Sequence, residues 1–118
     1  MEKSDKELLD LYKTNKNAAL ELIISQFQER LYWHIRKIVI IHDDTHDVLQ
    51  NTFIKAWKGL DNFQEKSKLY TWLYRIATNE SITFINKKKK KQEEPIENYQ
   101  AVLKVVEENN KKIIIPED

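Results

Sequence analysis

The stretch LELIISQFQERLYWHIRKI, from Leu20 to Ile38, decides the fold class. Leu20, Ile23, Ile24, Phe27, Leu31, Ile35 and Ile38 recur at steps of three and four, which gathers them on one side of a long amphipathic helix. Its end, Ile38-Val-Ile-Ile41, is apolar all round and is expected to be buried or covered by a neighbour. Upstream, Ser4 and Glu7 have capping-box spacing. They start a short first helix to about Thr14, with Leu8, Leu9 and Leu11 as its apolar face. Asn15 or Asn17 can cap the long helix.

Downstream, Asp43 and Asp44 break the pattern. Either can cap a third helix, with negative charge at its positive end. Val48, Leu49, Thr52, Phe53 and Ala56 continue at helical spacing. Gly59 is expected to end this helix at a left-handed position. Residues 60–67, LDNFQEKS, read as a loop. A fourth helix starts near Ser67 or Lys68 and runs through Leu69, Trp72, Leu73, Ile76, Ala77 and Phe84 into Lys87–Lys91, until Pro95 stops it. Beyond it, Ala101, Val102, Val105 and Val106 suit a short helix, and Ile113–Ile115 a short strand or tail. The expected fold is all-α: a bundle of about four helices over residues 1–91, then an acidic linker over 92–118.

Composition agrees. A chain of 118 residues suits one domain with a modest core. One glycine and two prolines leave little material for tight hairpins or glycine-rich phosphate loops. The absence of cysteine excludes disulfides and thiolate metal sites. The opening MEKSDKELL lacks the apolar stretch of a signal peptide, and no run approaches the roughly 20 apolar residues of a membrane span. A cytoplasmic protein without membrane insertion is the default expectation.

The net charge of +1 conceals a separation. Residues 1–67 carry ten basic and eleven acidic side chains, residues 68–91 seven and one, and residues 92–118 three and seven. A concentrated positive segment beside a nearly neutral domain suits a polyanion-binding edge. Lys87–Lys91 can neutralise phosphates or simply complement a helix C-terminus. Just upstream, aromatics and cations interleave: Phe63, Lys66, Lys68, Tyr70, Trp72, Tyr74 and Arg75. Single-stranded nucleic acid needs that mixture, with bases stacking while phosphates are neutralised. Two or three of those rings are nonetheless expected in the core, Trp72 first among them.

The third helix presents Asp44, Asp47 and Gln50, with Asn51 adjacent, as either a wetted surface or a partner surface. His42 and His46 imitate a zinc-protease spacing, but the intervening glutamate and a third ligand are missing. They read as solvent-facing or cap-region histidines. Asn79-Glu80-Ser81 has the form of a glycosylation sequon, without meaning in a cytoplasmic chain. No metal site, cofactor or catalytic constellation assembles, so an enzyme is not expected.

Asp44-Thr-His-Asp-Val-Leu-Gln-Asn-Thr-Phe-Ile-Lys-Ala-Trp57 resembles the D-A-E-D…Q-E-T-F…K-A-W helix of extracytoplasmic-function (ECF) sigma factors. Thr71-Trp-Leu-Tyr-Arg-Ile-Ala-Thr-Asn79 is similar to their T-W-L-Y-R-I-A-x-N helix. The two segments stand in order at the family's separation, joined by a Leu-Asp-x-Phe loop, and the resemblance covers about residues 4–91.

The resemblance implies a transcription-initiation subunit. Its third helix would dock on the clamp coiled coil of the largest subunit of core RNA polymerase. Asp47, Gln50, Asn51, Phe53 and Trp57 occupy the matching positions. It further implies that the loop and fourth helix recognise and melt the promoter −10 element on its non-template strand. The candidates there are Asn62, Phe63, Lys66, Ser67, Lys68, Tyr70, Thr71, Arg75 and Asn79, with Lys87 and Lys88 on phosphates. An anti-sigma partner is implied as well. Asn51 replaces the family's usual glutamate, Thr45 and His46 its Ala-Glu, and the loop lacks its frequent Arg-Gly. No second DNA-binding domain follows by Asp118, which suggests a fragment or a naturally short protein. Two other readings are a helical nucleic-acid module using only the lysines, and a regulatory protein-interaction bundle. Strand preference and polymerase capture discriminate them.

Overall fold

The computed structural model describes residues 2–92. These form α1 (Asp5–Thr14), α2 (Lys16–Val39), α3 (His42–Gly59), a 3-10 turn (Leu60–Asn62) and α4 (Leu69–Gln92), with no strand among the described residues. The all-α, four-helix expectation holds. Pro95 and the segments expected within 93–118 lie outside the described residues. The chain divides after Phe84, and the packing below is that of the unit ending there.

α1 begins with the expected capping box: Glu7 N–H donates to Ser4 Oγ at 3.1 Å, and Ser4 N–H donates to Glu7 Oε1 at 2.8 Å. Asn15 caps α2, its Oδ1 accepting the Ala18 N–H at 3.1 Å. α2 is the element around which the others assemble. Its buried residues are Ala19, Ile23, Phe27, Leu31, Ile35 and Val39, spaced by four throughout. Because a turn takes 3.6 residues, each step of four drifts about 40° round the axis. The stripe therefore winds round the helix, and Leu20, Ile24 and Ile38 fall to its half-buried flanks.

Leu8 joins this core from α1, with Val48, Leu49, Phe53 and Ala56 from α3, Leu60 from the turn, and Leu69, Leu73 and Ala77 from α4. Thr45, Thr52 and Ser81 are also buried. Each hydroxyl donates to the carbonyl four residues back, at 2.8, 2.8 and 2.7 Å, so none is left unpaired.

Several local expectations are corrected. α3 starts at His42, with Ile41 as N-cap and no side-chain cap. Asp43 and Asp44 sit inside its first turn, where they favour the helix through its dipole rather than by capping. Ile40 and Ile41 are exposed, at 46% and 49%. Only Val39 of that apolar run is buried, because the chain reverses direction there. Ile40 makes the reversal at φ 73°, ψ −45°, and Ile41 N–H donates to Val39 O at 2.8 Å.

Gly59 is not a left-handed cap. Its φ is −100° and the chain continues into the 3-10 turn, drawn inward by buried Leu60. A Cβ there would make ordinary contact with Trp72 Cζ2 at 3.4 Å, so the indole leaves room for a methyl group but not for a large side chain. Residues 60–62 are thus a turn of helix and the irregular loop begins at Phe63.

α4 starts at Leu69, slightly later than expected. Asp5 Oδ2 on α1 accepts the Leu69 N–H at 2.8 Å. Contrary to expectation, none of the interleaved rings is fully buried: Phe63, Tyr70 and Trp72 are half-buried and Tyr74 is exposed. Leu69, Leu73, Ala77 and Ser81 fill the inward positions of α4, leaving Trp72 half-buried on its flank.

Candidate functional site

Among the described residues, two concavities gather the expected site residues, and they share no lining residue. The first is an open groove of about 510 Å³ between α2 and α3, lined by Leu20, Ile24, Gln28, His46, Asp47, Leu49, Gln50, Phe53, Ile54 and Trp57. Its apolar residues come from the flank of α2 and the outward side of α3. The floor includes Phe53, 7% exposed, while Ile54 remains 45% exposed. Asp47 and Gln50 are exposed and supply acceptors at its edge. Four of the five expected polymerase-facing residues therefore meet in one place. Asn51 is exposed but does not line the groove. α2 also lines the groove, and Leu20 and Ile24 carry the sequence signal for it as apolar residues beside the inward stripe.

Trp57 is fixed at the end of α3 by Lys16, whose Nζ lies 4.6 Å from the indole centre. The same ammonium is 3.9 Å from Asp61 Oδ2, and the Tyr12 hydroxyl donates to Asp61 Oδ1. Desolvation, then the bond to Asp61, raises the Tyr12 pKa above the usual phenol value. Tyr12, Lys16, Trp57 and Asp61 thereby tie the end of α3 to the turn that leads into the loop.

The second concavity, about 340 Å³, lies under that loop and is lined by Asp5, Leu9, Phe63, Glu65, Lys66, Ser67 and Lys68. Phe63 leans on Trp72, with ring centres 5.1 Å apart. Glu65 adopts φ 57°, a left-handed conformation uncommon for a side chain other than Gly, Asn or Asp. This brings Phe63, Lys66, Ser67 and Lys68 of the expected DNA set together. Asn62, Tyr70, Thr71, Arg75 and Asn79 lie outside the hollow; Asn62, Arg75 and Asn79 are exposed and Tyr70 and Thr71 half-buried. Asp5 and Leu9 of α1 supply a wall that no local sequence pattern indicates. Lys87 and Lys88 are exposed and helical.

Glu80, the only carboxylate between residues 68 and 91, is engaged by Lys55 of α3 at 2.9 Å. His42 and His46 are exposed near the start of α3. Their rings stand edge to face, centres 4.5 Å apart, with Tyr32 OH 2.6 Å from His42 Nδ1. Among the described residues no group of three or more His, Asp or Glu side chains is placed to hold a metal ion. No described helix is long and apolar enough to cross a membrane.

Residues 23–91 match the family model of sigma-70 region 2. The RNA polymerase sigma-H factor of Pseudomonas aeruginosa is 35% identical over 78 residues, covering 66% of this chain and 40% of that protein. The ECF RNA polymerase sigma-E factors of Haemophilus influenzae and Escherichia coli K12 are 32% and 33% identical over 82 residues, covering 70% of this chain and 43% and 42% of those proteins. The chain belongs to the sigma-70 region 2 family, in its ECF type. It spans about two-fifths of the length of these curated relatives.

Proposed function

We infer that this chain is the part of a sigma factor that binds core RNA polymerase and opens the promoter −10 element, a non-catalytic role carried out in the cytoplasm. The observation that carries this is the pairing of two unlike surfaces on adjacent elements. One is an apolar groove edged by Asp47 and Gln50; the other is a hollow of mixed charge that sets Phe63, Lys66, Ser67 and Lys68 beside Asp5 and Glu65.

The groove suits a helical, basic partner. Leu20, Ile24, Phe53, Ile54 and Trp57 take its apolar side chains, while the carboxylate and amide at the edge receive its cations. On the polymerase that partner is the clamp coiled coil of the largest subunit. An anti-sigma protein would silence the factor by covering the same groove. Asn51, beside it, contributes at the rim.

The hollow suits an extruded base. Removing a base from the duplex costs roughly a few kcal/mol, which the enclosure and the backbone contacts must offset. Phe63 provides a ring, while Lys66 and Lys68 hold phosphates and Ser67 and Asn62 address base edges. Tyr70, Thr71, Arg75 and Asn79 extend this surface along α4. Lys87 and Lys88 add salt-sensitive phosphate neutralisation.

Selection from a randomised single-stranded DNA library in the presence of core polymerase tests the reading. One short motif is expected to be enriched over its scrambled versions, and Lys66→Gln with Lys68→Gln should abolish the enrichment. Recovery of sequences without preference contradicts −10 recognition.

A further inference from the structure

Tyr32 of α2 meets His42 and His46 of α3 where the chain reverses between the two helices. The histidines stand four residues apart, on one face of α3. Their ring centres are 4.5 Å apart at an interplanar angle of 85°, and both residues are exposed. Two imidazoles that share an ion at adjacent coordination positions, each through a metal–nitrogen bond of about 2.0–2.1 Å, have ring centres roughly 4.5–5.2 Å apart. The pair already stands at chelating separation. An edge-to-face contact between two rings alone would have the same spacing, so the surroundings decide between the two roles.

Tyr32 Oη lies 2.6 Å from His42 Nδ1 and accepts from Arg36 Nη1 at 2.9 Å. A hydroxyl oxygen has two lone pairs, so it can also accept a proton carried on Nδ1. That tautomer frees the Nε2 lone pair, and a hydrogen bond on the other ring nitrogen is the usual support of a histidine ligand. The positive end of α3 and the Arg36 guanidinium oppose a cation here. Against them, Arg36 is committed to Ile40 O at 2.6 Å as well as to Tyr32, and Asp43 and Asp44 lie in the same helical turn. No third histidine or carboxylate converges on the pair among the described residues. Water would fill the remaining positions, which makes the site open and exchangeable rather than a closed structural one.

We propose that His42 and His46, with Tyr32 behind them, form a two-imidazole site for a divalent transition metal of the zinc and nickel class, which imidazole suits. The site stands at the edge of the first groove, because His46 lines that groove beside Asp47. A dication held there offsets the carboxylate that a basic partner would meet. Metal binding therefore weakens capture of the polymerase. This consequence, unlike the site itself, rests on the polymerase-binding reading.

Calorimetric titration of the untagged full chain with Zn2+ tests the site. The background is low, since the chain has no cysteine and three histidines. The third, His34, is stacked on Tyr74 with centres 3.8 Å apart and bonded to Thr78 at 2.7 Å. Wild type should bind a single ion. His42→Gln and His46→Gln should each weaken binding roughly tenfold or more, and Tyr32→Phe about tenfold through the lost support of Nδ1. His34→Gln should leave it unchanged, and thermal melts without metal check that every variant is folded. Zn2+ should also reduce retention of core polymerase by wild type, and not by the double variant His42→Gln, His46→Gln. Undiminished Zn2+ binding by the double variant, or none by wild type, overturns the site. Zn2+ binding with unchanged retention overturns its effect on the polymerase alone. Failure of the metal-free wild type to retain polymerase overturns the polymerase reading and leaves the site standing.

Discussion

The carboxylate of Asp5 receives the backbone N–H of Leu69 at 2.8 Å, across 64 positions of sequence. The first residue of α1 thereby holds the first residue of α4 and fixes where the loop over the second hollow ends. A carboxylate at a helix start satisfies an orphan donor and complements the dipole.

Asp5→Ala should therefore cost about 1 kcal/mol of stability in urea unfolding, the usual scale of a lost N-terminal cap. Asp5→Asn should recover most of it, since the amide oxygen can accept the same bond. Equal stability of wild type and Asp5→Ala would show that the contact contributes nothing.

Gly59 makes a prediction with two signs. Its backbone is ordinary, and a Cβ would touch Trp72 Cζ2 at 3.4 Å and Cη2 at 3.8 Å. Gly59→Ala should raise stability by about 0.5–1 kcal/mol, because a helical glycine loses the most chain entropy on folding. Gly59→Leu should lower it by about 1–3 kcal/mol by driving the indole from its seat. Thermal melts of the two variants should move in opposite directions.

Ile40 carries strain. A β-branched residue at φ 73° is a backbone outlier, held there by Arg36, whose Nε donates to Ile40 O at 2.6 Å. Since Ile40 is 46% exposed, replacing it sacrifices little burial. Ile40→Gly should stabilise the protein by about 1 kcal/mol in chemical denaturation. A loss of stability would mean that the exposed side chain contributes more than the strain costs.

His34 predicts a pH dependence. Desolvation first, and Lys37 second, lower its pKa from the ordinary 6.5, so unfolding takes up a proton over the interval between the two values. The contribution of neutral His34 is complete above about pH 6.5 and is lost as pH falls towards the lowered folded-state value. Urea unfolding of wild type and His34→Gln across this interval should show wild type losing relative stability on acidification. Parallel curves would contradict the assignment.

What was legible in the sequence was local. The Ser4–Glu7 box and the Asn15 cap act within three residues, and the α2 periodicity needs only its own helix. Asp43 and Asp44 misled because aspartate favours both the cap and the first turn, and here the chain reversal at Ile40 set the start. Gly59 misled because the chain does not turn left-handed there but runs on at φ −100° into the 3-10 turn that buries Leu60. The long-range relations were invisible: Asp5 to Leu69, Lys16 to Trp57, and Arg30 and His34 to the α4 tyrosines. Each joins residues that no spacing rule connects. Of the groove, Asp47, Gln50, Phe53 and Trp57 stood out by their place in a motif, whereas Leu20 and Ile24 looked like ordinary core.

Capture of core RNA polymerase by the immobilised full chain tests the central claim most directly, comparing wild type with the double variant Asp47→Ala, Gln50→Ala. Both side chains are exposed, so their loss should leave folding intact while removing the acceptors at the groove edge. Wild type should retain the polymerase, and the double variant should lose most of it, with a weakening of roughly tenfold or more. Equal retention by both, or no retention by wild type, would contradict the groove as the polymerase-binding surface.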